Sequence, residues 1–286
     1  MAKKDIEDYP TTGHEWDGIR EYDKPMPAWW LWTFYATIAF SVVYTVLYPA
    51  WPGITGSTAG VLGYSSRAAV AADIEEYEMR NAGLIERINA TEVGAIADDP
   101  ELLQFAVNGG AAVFRTNCAQ CHGAGAQGLP GGYPNLLDDA WLWGGTVEDI
   151  HQTIAHGVRW EQDWDTRLSQ MPAFGEMEML TSEEIDAVAT YVRSLSGQVE
   201  VAAGHPGEQL YLDNCASCHM DSGMGDTFVG APDLTDQIWL YGGDQDSIVE
   251  TIMYSRAGVM PSWTDRLSQA EIKQVAVYVH QLGGGQ

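Results

Sequence analysis

Cysteine and positive charge are both scarce in this chain, and each scarcity excludes something. The 286 residues contain 4 cysteines, all of them in two short runs, Cys118-Ala119-Gln120-Cys121-His122 and Cys215-Ala216-Ser217-Cys218-His219. None is left over for a disulfide framework. Lysine and arginine number 14 against 40 acidic residues, a formal charge of −26. Such a surface repels phosphate backbones, so no nucleic-acid partner is expected. It steers basic proteins toward the chain instead. Long hydrophobic runs are rare too, and one uncharged stretch, Ala28 to Trp51, stands apart.

That stretch is the first organising feature. About 20 apolar residues suffice to span a bilayer as a helix. Trp29, Trp30 and Trp32 lie at one end of it and Tyr48 and Trp51 at the other, the aromatic-belt pattern of membrane interfaces. Residues 1–27 before it are polar and turn-rich, with no apolar core and small-residue cleavage site of a removable leader. The span at 28–51 is therefore expected to remain as an anchor. Residues 52–99 begin with a Gly/Ser/Thr-rich linker. They continue, over 67–90, into alternating charged and apolar residues that predict an exposed amphipathic helix or two.

The rest is an internal repeat, with domain one at 100–197 and domain two at 205–286. Each copy carries the cysteine run, a Pro-containing loop at Pro134 or Pro232, an aromatic-Gly-Gly segment, a Met-Pro pair and a closing helix. The first copy has extra residues around Trp160 to Gln170. The closing helices open with Thr181-x-x-Glu184 and Ser268-x-x-Glu271, the spacing of a capping box. Ile185, Val188, Ala189 and Val192 then form an apolar face, mirrored by Ile272, Val275, Ala276 and Val279. The expected fold is all-α: one N-terminal transmembrane helix followed by two tandem helical domains.

Cys-x-x-Cys-His is the attachment signature of haem c. Each thiol can form a thioether with a haem vinyl group, and the adjacent His then lies under the iron. Two such runs predict two covalently bound haem c groups and electron transfer as the chemistry. His122 and His219 are the expected proximal ligands. Their second ring nitrogens need acceptors, which the carbonyls of Pro134 and Pro232 are placed to supply. Met171 and Met260 precede Pro at matching positions, and a soft thioether ligand raises the potential. The expected sets are Cys118, Cys121, His122 and Met171 for haem 1, and Cys215, Cys218, His219 and Met260 for haem 2. Met177, Met179, Met220, Met224 and Met253 lack counterparts and read as core filler, and the rival His156 aligns with Tyr254. Trp141, Trp143, Trp239 and Tyr241 are candidate pocket walls. A His/Met pair leaves no open iron position, so peroxidase or gas-sensor chemistry is not expected of this chain.

The soluble half resembles two class I cytochrome c domains in tandem. Residues His14 to Ile19, then Glu21 to Pro27 and Trp29-Trp30, resemble the dihaem subunit (subunit III, CcoP) of the cbb3-type cytochrome c oxidases, and the similarity covers nearly the whole chain. Lys24 stands where such proteins often carry Asn. The resemblance implies a non-catalytic electron-transfer subunit. It would take electrons from a basic donor cytochrome c and relay them, through a monohaem cytochrome c subunit, to a haem–copper catalytic subunit that reduces oxygen and pumps protons. It also implies the bacterial inner (cytoplasmic) membrane, with a single pass. Haem c is assembled outside that membrane, so the haem domains are expected in the periplasm and the N-terminus in the cytoplasm, where Arg20 and Lys24 fit. Glu21, a carboxylate at the cytoplasmic edge, is a candidate for a proton entrance. The alternative is a free-standing membrane-anchored dihaem electron carrier.

Overall fold

A computed structural model describes residues 10–284; the first nine residues of the N-terminal segment lie outside them. The chain divides into two compact units, Met1–Arg80 and Asn81–Gln286.

The first unit opens with a hairpin of β1 (Thr11–Trp16) and β2 (Ile19–Tyr22). The sequence reading had only turn-rich polar chain here. The signal was Asp17-Gly18, whose φ values of 49° and 81° are the two left-handed positions of a tight hairpin turn. Both strands are exposed on both faces, so no period-two apolar pattern marks them.

Helix α1 runs from Ala28 to Leu47, with a mean hydropathy of 1.5 and none of its most apolar window buried within the chain. Its 20 residues at about 1.5 Å each reach about the thickness of a bilayer's hydrocarbon core. The helix ends short of the expected Trp51. Pro49 disfavours helical geometry in the residue before it, and Tyr48 is extended at φ −114°, ψ 161°. Thr33, Thr37, Ser41 and Thr45 each donate a hydroxyl to a carbonyl one turn back, which satisfies their polar groups inside an apolar helix. The linker then folds back. Val61 and Leu62 donate backbone N–H groups to Val46 and Leu47 at 3.0 and 3.1 Å, taking up carbonyls that the helix end leaves free.

Helix α2 (Ser66–Ala90) is one continuous helix. Its last turns lie in the second unit, where Ile88 is buried and Leu84 and Ile85 pack beside it. Lys273 caps it by donating to the carbonyls of Ile88, Asn89 and Thr91 at 3.2, 3.0 and 2.7 Å.

The remaining helices are α3 (Pro100–Val113), α4 (Ala119–His122), α5 (Val147–His156), α6 (Ser182–Leu195), α7 (Pro206–Asn214), α8 (Ala216–His219), α9 (Gln245–Tyr254) and α10 (Gln269–His280). Both capping boxes form, and the apolar faces of α6 and α10 are buried. The two repeats interleave. Helix α10, the last of the second repeat, packs on α3 and α5 of the first, while α6, the last of the first repeat, packs on α7 and α9 of the second. Glycines set both crossings. A Cβ on Gly110 would meet the Gln274 carbonyl and lie 2.6 Å from Tyr278 Cβ; one on Gly207 would meet the Ala187 carbonyl and lie 2.9 Å from Tyr191 Cβ. Beside them Phe114 packs on Tyr278 and Tyr211 on Tyr191, at centroid distances of 5.6 and 5.4 Å.

Candidate functional site

Each cysteine run forms a single helical turn, α4 or α8, entered from a longer helix. In the first repeat the entry is a π-turn, Phe114–Cys118, a wider winding often found at functional sites. His122 Nδ1 lies 3.1 Å from the Pro134 carbonyl and His219 Nδ1 3.1 Å from that of Pro232. With Nδ1–H donating, Nε2 keeps its lone pair for iron. Gly128 and Gly225 carry the loops beneath those prolines. Their N–H groups bond the His122 and His219 carbonyls at 2.8 and 3.0 Å, their φ values are 72° and 74°, and a Cβ on either would strike backbone. Only glycine fits there.

Burial pushes both imidazoles below the ordinary histidine pKa, against the opposing pull of the proline carbonyls. Both are therefore neutral at pH 7. Burial also pushes the Cys118 and Cys215 thiols up to about 11. That is the reverse of the low-pKa thiolate that a reactive redox Cys-x-x-Cys requires. Tyr211, fully buried, donates its hydroxyl to Met220 O at 2.8 Å and so holds the turn after His219.

The methionines are where sequence and structure part. Met171 was expected to pair with His122, and Met260 with His219. The packing instead places each methionine against the core that the other repeat's first cysteine also meets. Met260 and Cys118 pack against one core, and Met171 and Cys215 against the other. Backbone bonds fix this exchange. Met260 and Val158 bond in both directions at 2.9 and 3.0 Å, and Trp263 N–H donates to Ile154 O at 3.2 Å. In mirror fashion, Phe174 N–H donates to Ile252 O at 3.1 Å, and the Ser255 hydroxyl donates to the Met171 carbonyl. Because each closing helix packs in the other repeat's groove, the Met-Pro segment leading into it must cross too.

Four of the rival methionines lie at the surface, and Met253 shares the second core. Met177, Met179, Met220 and Met224 are exposed. Met253 packs in the second core with its sulfur over Gly175, and His156 Nδ1 bonds Asp163 at 3.1 Å. Of the aromatic candidates, Trp141 and Trp239 line the cores of their own repeats, and Trp141 Nε1 donates to the Gly284 carbonyl. Trp143 and Tyr241 cross over. Trp143 lies on Gly230 of the second repeat, and Tyr241 Cε1 sits 2.7 Å from where a Gly132 Cβ would be, in the first. Arg167 stacks over Trp143 at 5.7 Å and Arg256 over Tyr241 at 5.1 Å. Sequence reasoning missed these two glycines and both arginines. The equivalent spots of the two loops pointed to the glycines, but nothing in the pattern says which aromatic covers which. Glu21 lies exposed on β2.

A Cys-x-x-Cys-His turn with its histidine oriented by a proline carbonyl, present twice in a helical core, defines a c-type cytochrome, a haem c-binding protein. Residues 9–55 match the family described as the N-terminal domain of cytochrome oxidase-cbb3, FixP. Residues 105–192 and 202–279 each match cytochrome c oxidase, cbb3-type, subunit III. The chain is 56% identical over 278 residues to the cbb3-type cytochrome c oxidase subunit CcoP of Cereibacter sphaeroides, covering 97% of this chain and 96% of that protein. It is 50% identical to CcoP of Rhodobacter capsulatus, covering 100% and 98%, and 49% identical to the cbb3-type subunit FixP of Rhizobium meliloti, covering 96% and 95%. This chain belongs to the cbb3-type cytochrome c oxidase subunit III (CcoP/FixP) family.

Proposed function

We propose that this chain is the dihaem electron-transfer subunit of a cbb3-type oxidase and holds its two haems by crossed ligand sets. Cys118 and Cys121 anchor haem 1, with His122 and Met260 as its axial ligands. Cys215 and Cys218 anchor haem 2, with His219 and Met171. The observation that carries this reading is the reciprocal packing of each Met-Pro segment against the other repeat's cysteine core. Haem iron so held carries one electron between ferrous and ferric states. The protein's part is to fill both axial positions, so that electrons leave and enter through the haem edge and no substrate reaches iron. The chain is accordingly non-catalytic and serves a catalytic haem–copper subunit, through a monohaem cytochrome c subunit.

Apolar, lipid-length α1 supports a single-pass anchor in the bacterial inner membrane, with the haem units periplasmic and the hairpin cytoplasmic. The formal charge of −26 supports a basic donor cytochrome c, because opposite fields raise encounter rates. Glu21 beside the membrane edge remains our candidate for a proton entrance.

Purification from native membranes through a tag on this chain tests the reading. We expect a mass increase of two haem c groups, a monohaem cytochrome c and a subunit with b-type haem and copper in the same complex, and oxygen uptake driven by reduced cytochrome c. Recovery of the chain alone from mild detergents, without oxygen uptake, would favour a free-standing carrier.

A further inference from the structure

Arg159 sits where the two Met-Pro segments approach each other. Its Nε donates to the Gly258 carbonyl at 2.7 Å and one terminal nitrogen to the Ser169 carbonyl at 2.9 Å. Gly258 is two residues before Met260, and Ser169 is two residues before Met171. One guanidinium therefore ties together equivalent points of both methionine segments. Its own backbone is pinned as well. The neighbouring Val158 is the residue that bonds Met260 in both directions, and Arg159 N–H donates to Arg167 O at 2.7 Å.

Arg159 also has φ 53°, a left-handed conformation that costs a side-chain-bearing residue energy and persists only where the surroundings hold it. Among the described residues no carboxylate pairs with it, and burial lowers its pKa. A partly buried cation that spends its donors on two loop carbonyls is placed for geometry rather than for a surface ion pair. The rigid fork of arginine reaches two acceptors at once, which an ammonium on one stem does not do in the same fixed geometry.

We propose that Arg159 is a positioning residue shared by the two haem sites, bracing the Met171 and Met260 segments so that both thioethers stay on iron together. The inference rests on the crossed ligand reading and adds to it: the two sites share one mechanical support, contributed by the residue that leads into the extra loop of the first repeat. Among the described residues the second repeat offers no equivalent brace: Arg256 bonds the carbonyls of Tyr241 and Ser247 within its own repeat.

The test is a redox titration of the full chain in its complex, with the long-wavelength charge-transfer absorption of methionine-ligated ferric haem recorded alongside. In Arg159→Ala we expect both haems to lose part of that absorption and both midpoints to move down. In Arg159→Lys, which keeps the charge but not the fork, we expect a smaller shift of the same sign at both haems. Unchanged midpoints, or a change confined to one haem, overturns the shared brace. Should the Ala variant fail to retain haem, the Lys variant decides: wild-type absorption and midpoints at both haems overturn the proposal. Met171→His and Met260→His report on the ligand reading separately. If neither removes any of the absorption, the ligand assignment has failed, whatever Arg159 does.

Discussion

Adding one methyl group at Gly110 tests the interleaved packing with a worked magnitude. Gly110 is inside α3, so an alanine there gains about 1 kcal/mol of helix propensity. Against this, its Cβ would run into the Gln274 backbone carbonyl and lie 2.6 Å from Tyr278 Cβ. Neither obstacle is the end of a flexible side chain, so α3 and α10 must move apart. Overpacking of this kind costs about 1–3 kcal/mol, and a backbone obstacle belongs at the upper end. The net expectation is a loss of about 2 kcal/mol, or roughly 4–8 °C in Tm for a unit of this size. Gly83 is the control. It lies in α2 with nothing within 4 Å of its Cβ, so Gly83→Ala gains propensity without a clash and should raise stability by up to about 1 kcal/mol. Thermal unfolding of the detergent-solubilised chain, followed by helical circular dichroism, reads both variants. Equal stabilisation by the two alanines would refute the close crossing of α3 on α10.

Other outcomes follow from the same geometry. Tyr211→Phe removes the hydroxyl bonded to Met220 O at 2.8 Å and should cost about 1 kcal/mol in the same unfolding assay. The cost is small because Phe114 occupies the matching position of the first repeat. Acid unfolding should begin as the pH falls below about 4. Asp99 is held below the ordinary carboxylate pKa by the Leu102 N–H, Glu184 by the Thr181 N–H, and Asp244 by the Ser247 hydroxyl. Depressed groups contribute stability above their unfolded pKa and lose it as the pH drops through the folded value; a stability profile that rises on acidification would contradict these bonds. In the assembled oxidase, Glu21→Ala should slow turnover and proton uptake together, and unchanged rates would remove Glu21 from the proton path.

Much of this was legible in the sequence, and the missing part has a physical reason. The cysteine runs, the membrane-length helix, the capping boxes and the buried faces of α6 and α10 are local patterns, and local patterns survive without tertiary knowledge. The exchange between repeats is not local. Gly110 with Phe114 and Gly207 with Tyr211 make nearly the same groove, and Tyr191 and Tyr278 are the same knob, so either closing helix satisfies either groove by residue type. Only packing distinguishes them, and with it which Met-Pro segment lies against which cysteine's core. The hairpin was missed for a different reason. Its Asp17-Gly18 turn is a strong signal, but strands exposed on both faces show no alternation to support it.

The crossed ligation is tested most directly by marking one haem and moving its ligand. Cys118→Ala leaves one vinyl group of haem 1 conjugated, which shifts that haem's absorption to longer wavelength and labels it in a redox titration. In this background Met260→His should lower the midpoint of the labelled haem, because a soft ligand is lost, while Met171→His should lower only the unlabelled one. The reverse result, with the labelled haem responding to Met171→His, would restore ligation within each repeat and contradict the account.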